Sequence, residues 1–168
     1  MVSIRLARPD DADAVAEVHV RSWQIGYRGL LSDEYLDSLR SQERAARYTF
    51  GSTDPSAPTT LVALEGDAIR GFATFGPSPD TQIANPGELM ALYVDPPAWR
   101  RGIGRDLIAE ARRFLVERGF SEAVLWVLAG NERAERFYRA DGWLPDGMRR
   151  TVAVWGVLVN ESRYRRRL

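Results

Sequence analysis

Apolar and polar residues follow strand-like and helix-like periods in turn along this chain of 168 residues. Two-residue alternation and short apolar runs predict strands at residues 3–7, 60–64, 69–75, 89–94, 121–128, 143–154 and 157–165. Helical spacing predicts helices that begin at Pro9, Asp33, Glu43, Ile103 and Glu132. The strand from Leu89 to Val94 is nearly all apolar, which is typical of a strand covered on both faces.

The helix that begins at Ile103 lies between two of these apolar strands and has one apolar face. Strand, helix and strand in this order form a βαβ unit, with parallel strands and a right-handed crossover. The other strands follow one another as hairpins. The pattern therefore predicts a single α+β domain over residues 1–168, with a mixed, mostly antiparallel twisted sheet, a central parallel step and helices on both faces.

Composition narrows the possible chemistry. The chain contains no cysteine and a single histidine, His19. This excludes disulfides, thiolate metal sites and a cysteine nucleophile, and we predict no metal site. A formal net charge of +0 disfavours a nucleic-acid partner that is held by bulk electrostatics.

No apolar segment at the N-terminus resembles a signal peptide, and the longest apolar run, residues 123–129, is too short to span a bilayer. We therefore expect a cytoplasmic protein without a membrane partner. Arginines 163 and 165–167 either bind an anionic partner or end a strand in solvent.

A glycine turn follows the central apolar strand. Pro96 and Pro97 stop the strand, and the segment from Trp99 to Gly104 leads into the long helix. Such a turn leaves backbone N–H groups unpaired at the positive end of the helix dipole, which favours phosphate. A dinucleotide fingerprint is excluded, because Leu107 occupies the third glycine position. A P-loop is excluded because the chain has no lysine.

Three segments together identify a family: ELMALYV (88–94), WRRGIGRDLI (99–108) and NERAERFYRADGW (131–143). They resemble the GNAT acyltransferase superfamily. Its members carry a strand that ends in LYV, a Q/R-x-x-G-x-G/A turn and an N-x-x-A-x-x-FY-x-x-x-G-F helix. Trp99 departs from this pattern, since it occupies the place of the first Gln or Arg. The resemblance implies a GNAT-like fold and acetyl-CoA as co-substrate.

The resemblance also assigns cofactor-binding residues. It places the pyrophosphate on the backbone amides of Arg100 to Arg105, with Arg100, Arg101 and Arg105 adding charge. It pairs the pantetheine arm with the central strand like an added strand, which requires a gap in the sheet. The implied cofactor-binding residues are Leu92, Tyr93, Val94, Arg100, Arg101, Gly102, Ile103, Gly104, Arg105 and Asn131. Asn131 also suits a helix N-cap, and the two roles are compatible.

Two residues are candidates for proton transfer. By resemblance Tyr138 is the general acid that protonates the departing thiolate, against the alternative of a packed aromatic. Glu88 matches a position that is sometimes credited as base, directly or through water; otherwise it is a solvated strand-end carboxylate. His19 is a second candidate base, because the ordinary pKa of histidine is near neutrality. The alternative is a packed or surface histidine.

Trp23 and Tyr27 either line the acceptor site or pack in the core, and residues 76–87 are expected to form the opposite wall. The sequence thus predicts an acetyl-CoA-dependent N-acetyltransferase acting on a small-molecule or peptide amine; the alternative is a non-catalytic acyl-CoA-binding module. The acceptor's identity, the acyl length and a possible homodimer stay open.

Overall fold

The computed structural model describes all 168 residues of the chain. Short 3-10 turns at Pro9–Asp11 and Pro96–Ala98 separate some of its elements. In chain order, the strands and helices are β1 (Val2–Leu6), α1 (Ala12–Gly26), α2 (Asp33–Asp37), α3 (Ser41–Ala45), β2 (Thr59–Glu65), β3 (Ala68–Pro77), β4 (Gly87–Val94), α4 (Ile103–Glu117), β5 (Glu122–Leu128), α5 (Glu132–Ala140), β6 (Leu144–Val154) and β7 (Val157–Arg167).

The seven strands form one sheet in the order β1-β2-β3-β4-β5-β7-β6. Every neighbouring pair is antiparallel except β4 and β5, which are parallel and joined through α4. The predicted mixed sheet with one central parallel step is therefore confirmed. The parallel step arises because α4 packs its apolar face on the sheet and returns the chain to the end at which β4 began. β5 therefore starts there and runs parallel to β4.

Helices lie on both faces of the sheet, as predicted, and each face has its own core. The larger core joins the sheet to α4 through Ile103, Leu107 and Leu115. The smaller core joins the sheet to α1 through Val15 and Val18. The two cores matter for the site because each one fixes the helices of its own face.

Several helix ends are capped by a side chain or by a glycine, including the predicted N-cap at Asn131. Ser32 caps α2 by accepting the Tyr35 N–H at 3.2 Å, and Asn131 caps α5 by accepting the Ala134 N–H at 3.2 Å. Gly119 follows α4 with φ of 90°, the left-handed conformation that favours glycine. The sequence pattern predicts a third helix from Glu43 to Tyr48, which is wrong at both ends, since α3 spans Ser41–Ala45.

Pairing between β4 and β5 is very short. Only Gly87↔Ala123 and Glu88↔Val124 are in register, and beyond Glu88 the two strands are unpaired. Neither strand is short itself, because β4 pairs with β3 as far as Val94 and β5 pairs with β7 along its full length. The gap that the pantetheine pairing requires is therefore present in the sheet.

A β-bulge interrupts β4 just beyond that point. Thr74 faces Ala91 and Phe75 faces Leu89, so Met90 is an extra residue without a partner on β3. Leu89 packs into the larger core and Ala91 against the smaller one, although residues two apart in a regular strand share a face. The bulge therefore reverses the alternation of side chains along β4.

The prediction that the central strand is covered on both faces is wrong. Met90 is 40% exposed, and the residues from Ala91 to Val94 are only partly buried. The reason is the gap itself, because a strand that lacks a neighbour on one side leaves its apolar side chains beside a cavity. The apolar run therefore borders a binding cavity as well as the core.

The core under α4 generates a stability prediction. Leu107 is fully buried on this helix, whereas Val116 on the same helix is 52% exposed. We expect Leu107→Ala to lower the free energy of unfolding by ~2–5 kcal/mol, because it leaves a cavity in the larger core. Val116→Ala, the matched control, should change it by less than ~0.5 kcal/mol. Urea unfolding followed by circular dichroism measures both, and equal losses would contradict the assigned core.

Candidate active site

One cavity of about 1010 Å³ opens between the unpaired parts of β4 and β5. It is bordered by the start of α4, by α5, by the end of α1 and by the β6–β7 pair. Most of the residues that the sequence singled out for the site line it, and the exceptions are His19 and residues 76–87: the lining residues are Trp23, Tyr27, Glu88, Leu92, Tyr93, Val94, Arg100, Arg101, Gly102, Ile103, Gly104, Arg105, Asn131 and Tyr138. Residues from four separate segments, 23–27, 88–94, 100–105 and 131–138, are thus brought to one place.

The backbone groups along the open edge of β4 follow from its ladder with β3. The Asp95 N–H donates to the Arg70 carbonyl at 2.7 Å, so alternate residues of β4 also pair with β3. By this alternation Tyr93 directs its N–H and C=O toward β3, whereas Leu92 and Val94 direct theirs toward the gap. Only the latter two present backbone groups to a ligand, and Tyr93 borders the cavity with its side chain.

The carbonyl of Val94 is already occupied. It accepts hydrogen bonds from Trp99 Nε1 at 2.7 Å and from Ser22 Oγ at 3.1 Å. Trp99, the residue that departs from the family pattern, is thereby fixed against the end of β4. Leu92 is the residue whose N–H and C=O both remain free on this edge.

The turn between β4 and α4 exposes an unbroken row of amides. From Arg100 to Arg105, no backbone N–H donates to any acceptor in the chain. Gly102, the residue before α4, has φ of 84°, and Arg100 has φ of 62°, which is unusual for a residue with a side chain. The unpaired N–H groups thus lie at the N-terminus of α4 on residues that line the cavity, an arrangement that suits a phosphate group.

The arginines around this turn differ in their pairing. Arg101 forms an ion pair with Glu65, which directs it away from the turn, while Arg100 and Arg105 have no ion-pair partner. Arg133 from α5 lies over the indole of Trp99, 3.7 Å from the ring centroid, and also lacks an acidic partner. Burial lowers the pKa of Arg133. Trp99 replaces the Gln or Arg of the family pattern, and its indole instead holds the unpaired guanidinium of Arg133 at the cavity.

Tyr138 reaches the gap from α5. Its hydroxyl has no hydrogen-bond partner in the chain, and the side chain is partly buried beside Phe137. Burial, reinforced by nearby Tyr93, raises the pKa of Tyr138, and the charge of Arg133 opposes that shift. The hydroxyl therefore stays protonated at neutral pH, as a proton donor requires.

Tyr27 and Tyr93 form an aromatic wall of the cavity. Their hydroxyl groups lie 3.2 Å apart, and Trp23 stacks at an angle on Tyr27 with ring centroids 5.0 Å apart. Burial is the main cause that raises the pKa of both tyrosines. Trp23 is buried and also borders the cavity, so packing and lining, posed as alternatives by the sequence, are combined in this residue.

Glu88 is the second residue of β4, is partly buried, and is the last residue of β4 that pairs with β5. Ser78 Oγ donates to its Oε1 at 2.9 Å. Burial raises the pKa of Glu88, and the Ser78 hydrogen bond opposes that shift. A carboxylate with a raised pKa at the edge of a cavity is suited to accept a proton from a substrate.

His19 lies outside the cavity. It is buried, its Nδ1 is 2.9 Å from the Tyr48 hydroxyl, and its ring stacks on Tyr93 at 4.8 Å. Burial, together with the charge of Arg44, lowers the pKa of His19 well below its usual value. The structure thus places this histidine among packed aromatic rings rather than among the cavity residues.

The prediction that residues 76–87 form the opposite wall of the acceptor site is wrong. No residue of 76–87 lines the cavity; this segment is instead anchored by Asp80, which pairs with the buried Arg163. Arg163 also pairs with Asp146 at 2.7 Å, and Arg165 pairs with Glu122 at 2.6 Å. Three of the four arginines of the terminal run, Arg163, Arg165 and Arg166, thus have acidic partners within the chain. Segment 76–87 supports Glu88 through Ser78.

The β6–β7 pair forms the opposite wall, and sequence reasoning missed it. The lining residues that were not anticipated include Arg133, Arg150, Val154, Val159 and Glu161. Strand alternation in 157–165 was the available signal, since it places Val159 and Glu161 on one face. That signal did not show which face borders the cavity.

No group of three or more His, Asp or Glu side chains is arranged to bind a metal.

Comparisons with known proteins agree with this arrangement. A model of the acetyltransferase (GNAT) family matches residues 15–143. YuaI of Bacillus subtilis, an uncharacterized N-acetyltransferase, is 36% identical over 132 residues, which cover 78% of this chain and 74% of YuaI. The spermidine N(1)-acetyltransferase of Thermoplasma acidophilum is 29% identical over 146 residues, covering 84% of this chain and 88% of that enzyme.

Solved structures show the same fold at lower identity. The PaiA N-acetyltransferase of Thermoplasma acidophilum, in complex with coenzyme A, has a TM-score of 0.72 and 24% identity, covering 98% of this chain and 99% of that chain. An N-acetyltransferase of Staphylococcus aureus has a TM-score of 0.75 and 20% identity, covering 99% of this chain and 98% of that chain.

None of the helices of this protein has the length and apolarity needed to cross a membrane.

The raised pKa of Glu88 generates a prediction about stability. The folded protein keeps the Glu88 proton to a higher pH than the unfolded chain, so this group stabilises the fold at low pH. That contribution is lost as the pH rises through the folded pKa. We therefore expect Glu88→Gln, which retains an acceptor for Ser78, to gain stability relative to the unmodified protein between pH about 4 and about 8.

Urea unfolding at both pH values measures this difference. Glu34→Gln is the control, because Glu34 is exposed and forms no ion pair. If the free energies of unfolding of Glu88→Gln and of the unmodified protein differ by the same amount at both pH values, burial does not raise the pKa of Glu88.

Proposed function

The chain belongs to the acetyltransferase (GNAT) family, and from this premise we propose that it moves the acetyl group of acetyl-CoA directly to a primary amine of an acceptor. The observation that carries the proposal is the gap between β4 and β5. Proton-transfer candidates and an anion cradle border the same gap, on opposite sides of one cavity. A two-substrate transfer needs this arrangement, because donor and acceptor must meet at a single reacting carbon.

The amides from Arg100 to Arg105 hold the pyrophosphate of the cofactor. Six consecutive unpaired N–H groups fit two phosphate groups, and the unpaired guanidinium groups of Arg100 and Arg105 add positive charge. Arg133, held on Trp99, contributes a third unpaired guanidinium. The strained backbone of this turn is preformed, so little ordering is required when the phosphates bind.

The free edge of β4 holds the pantetheine arm. Leu92 offers an N–H and a C=O there, and Asn131 lies across the cavity at the start of α5. The carbonyl of Val94 is satisfied by Trp99 and Ser22, so Val94 contributes its N–H alone. A backbone N–H on this edge stabilises the oxyanion that forms when the thioester carbonyl is attacked.

The reaction requires three proton transfers. Glu88, directly or through a water, takes a proton from the protonated amine, whose nitrogen then forms a bond to the carbonyl carbon. As the carbon–sulfur bond breaks, the Tyr138 hydroxyl donates its proton to the departing thiolate, and the extra proton on the bonded nitrogen passes to the Tyr138 phenolate, which leaves a neutral amide and CoA thiol. The raised pKa values of Glu88 and Tyr138 suit these roles, since one group must accept a proton and the other must keep its own until that step.

Replacing Tyr138 tests the proton donor. We expect Tyr138→Phe to lower kcat for acetyl transfer by about 10²–10⁴, because the thiolate then leaves without a positioned acid. CoA affinity should stay similar, since the aromatic ring is retained. Release of CoA thiol over many turnovers with a panel of primary amines measures the rate. Tyr164→Phe is the control, because its hydroxyl donates to Glu135 outside the cavity. An unchanged kcat for Tyr138→Phe would exclude this role.

The pairing of the arginines yields a second test. We expect Arg100→Ala and Arg105→Ala each to weaken CoA binding by roughly threefold to tenfold, because both guanidinium groups are free to meet phosphate. Arg101→Ala is the matched control and should weaken binding less, since Arg101 is paired with Glu65. Calorimetric titration with CoA at low and high salt measures the three affinities. Equal losses would show that Arg101 leaves Glu65 when CoA binds.

A further inference from the structure

Glu161 is an acidic side chain at the cavity that the reaction described above does not use. It lies on β7, and its side chain is only 14% exposed. Arg150 donates to a single oxygen, Oε1, through Nε at 2.9 Å, and its second nitrogen lies 2.9 Å from the same atom. The other oxygen, Oε2, has no partner in the chain. This oxygen is not fully buried, so it is open to a ligand that enters the cavity.

The position of Glu161 is close to the reacting groups. Alternation along β7 places it on the same face of the sheet as Val159, and both line the cavity. Burial is the main cause of the raised pKa values of Tyr27, Tyr93 and Glu88, and the charge of Glu161 adds to all three shifts. The carboxylate therefore lies among the two tyrosines and the candidate base. The Arg150–Glu161 pair also borders a separate polar cavity of about 600 Å³.

The surroundings of Glu161 are mostly apolar. Tyr27 and Tyr93 provide aromatic surface, and Val154 and Val159 provide aliphatic surface from the β6–β7 pair. Six arginines line the cavity as a whole but only two carboxylates, Glu88 and Glu161. Five of these arginines lie on the glycine turn, the start of α4 and α5, so the acceptor end holds only Arg150 beside the two carboxylates. Two carboxylates and one guanidinium leave a net charge of −1, which matches one ammonium group and not several.

From this juxtaposition we propose that Glu161 binds the ammonium group of the acceptor, and that the acceptor is a monoamine with an apolar body. This inference rests on the proposed function and specifies its substrate class. The ammonium lies against Glu161 Oε2 in the ground state, and the apolar body lies against the tyrosine and valine side chains. Glu88 takes the proton once the amine turns toward the thioester. Glu161 is a binding residue and not the base.

Equilibrium binding tests the proposal without requiring turnover. The probes are phenethylamine, which is a cation at neutral pH, and 2-phenylethanol, its neutral analogue, each titrated into protein saturated with CoA. We expect the unmodified protein to prefer the amine by about tenfold or more, as a hydrogen bond to a charged group implies. Glu161→Gln keeps an acceptor for Arg150 but removes the charge, and should abolish the preference. Glu161→Asp should restore part of it.

Kinetics separate this role from a structural one. With phenethylamine as acceptor, Glu161→Gln should raise KM by about tenfold to a hundredfold and leave kcat at saturation similar, whereas Glu88→Gln should lower kcat. Glu132→Gln, an exposed change on α5, should alter neither constant. Spermidine, with several charges, should have a lower kcat/KM than phenethylamine in the unmodified protein.

Several outcomes would overturn the inference. These are a charge preference that survives in Glu161→Gln, a wild-type protein that does not distinguish the two probes, or spermidine as the better acceptor. Failure of the proposed function looks different: CoA would bind, but no amine would release CoA thiol. The binding preference between the two probes would still decide the role of Glu161 in that case.

Discussion

Backbone pairing between β4 and β5 ends at Glu88, and the site depends on this interruption. Two parallel strands that stay paired would close the sheet and separate its two faces. Because they part, Tyr138 from α5, which packs on the larger core, comes close to Tyr27 from the end of α1 on the other face. The open edge also leaves the N–H and C=O of Leu92 without partners. The same interruption thus leaves an unpaired backbone edge and opens the cavity in which the candidate site residues meet.

The bulge at Met90 determines which side chains meet there. Glu88 and Tyr93 are five residues apart, so a regular strand would direct them to opposite faces. The extra residue shifts the alternation by one and brings both to the face that carries Tyr27 and Glu161. A one-residue irregularity thus places a carboxylate with a raised pKa beside the aromatic wall, and it does so through backbone geometry that no side chain specifies alone.

Charge is divided between the two ends of the cavity. The end proposed for the cofactor has unpaired amides and the free guanidinium groups of Arg100, Arg105 and Arg133. The end proposed for the acceptor has two carboxylates and the paired Arg150 among apolar side chains. Trp99 contributes indirectly, because its indole anchors the end of β4 and supports Arg133. A departure from the family pattern at one position is thereby accompanied by an arginine from another helix, which sequence comparison at that position would not reveal.

The sequence by itself determined the strand and helix order, the βαβ step, the glycine turn and its family, because these depend on local periodicity and on short motifs. It also identified Glu88, Tyr138 and the turn from Arg100 to Arg105 as site residues. It did not show the bulge, the wall formed by β6 and β7, or the pairing that distinguishes Arg101 from Arg100. Those features depend on which strands lie side by side and which charges meet across the fold. Such contacts join residues distant in the chain, so only the tertiary structure decides them.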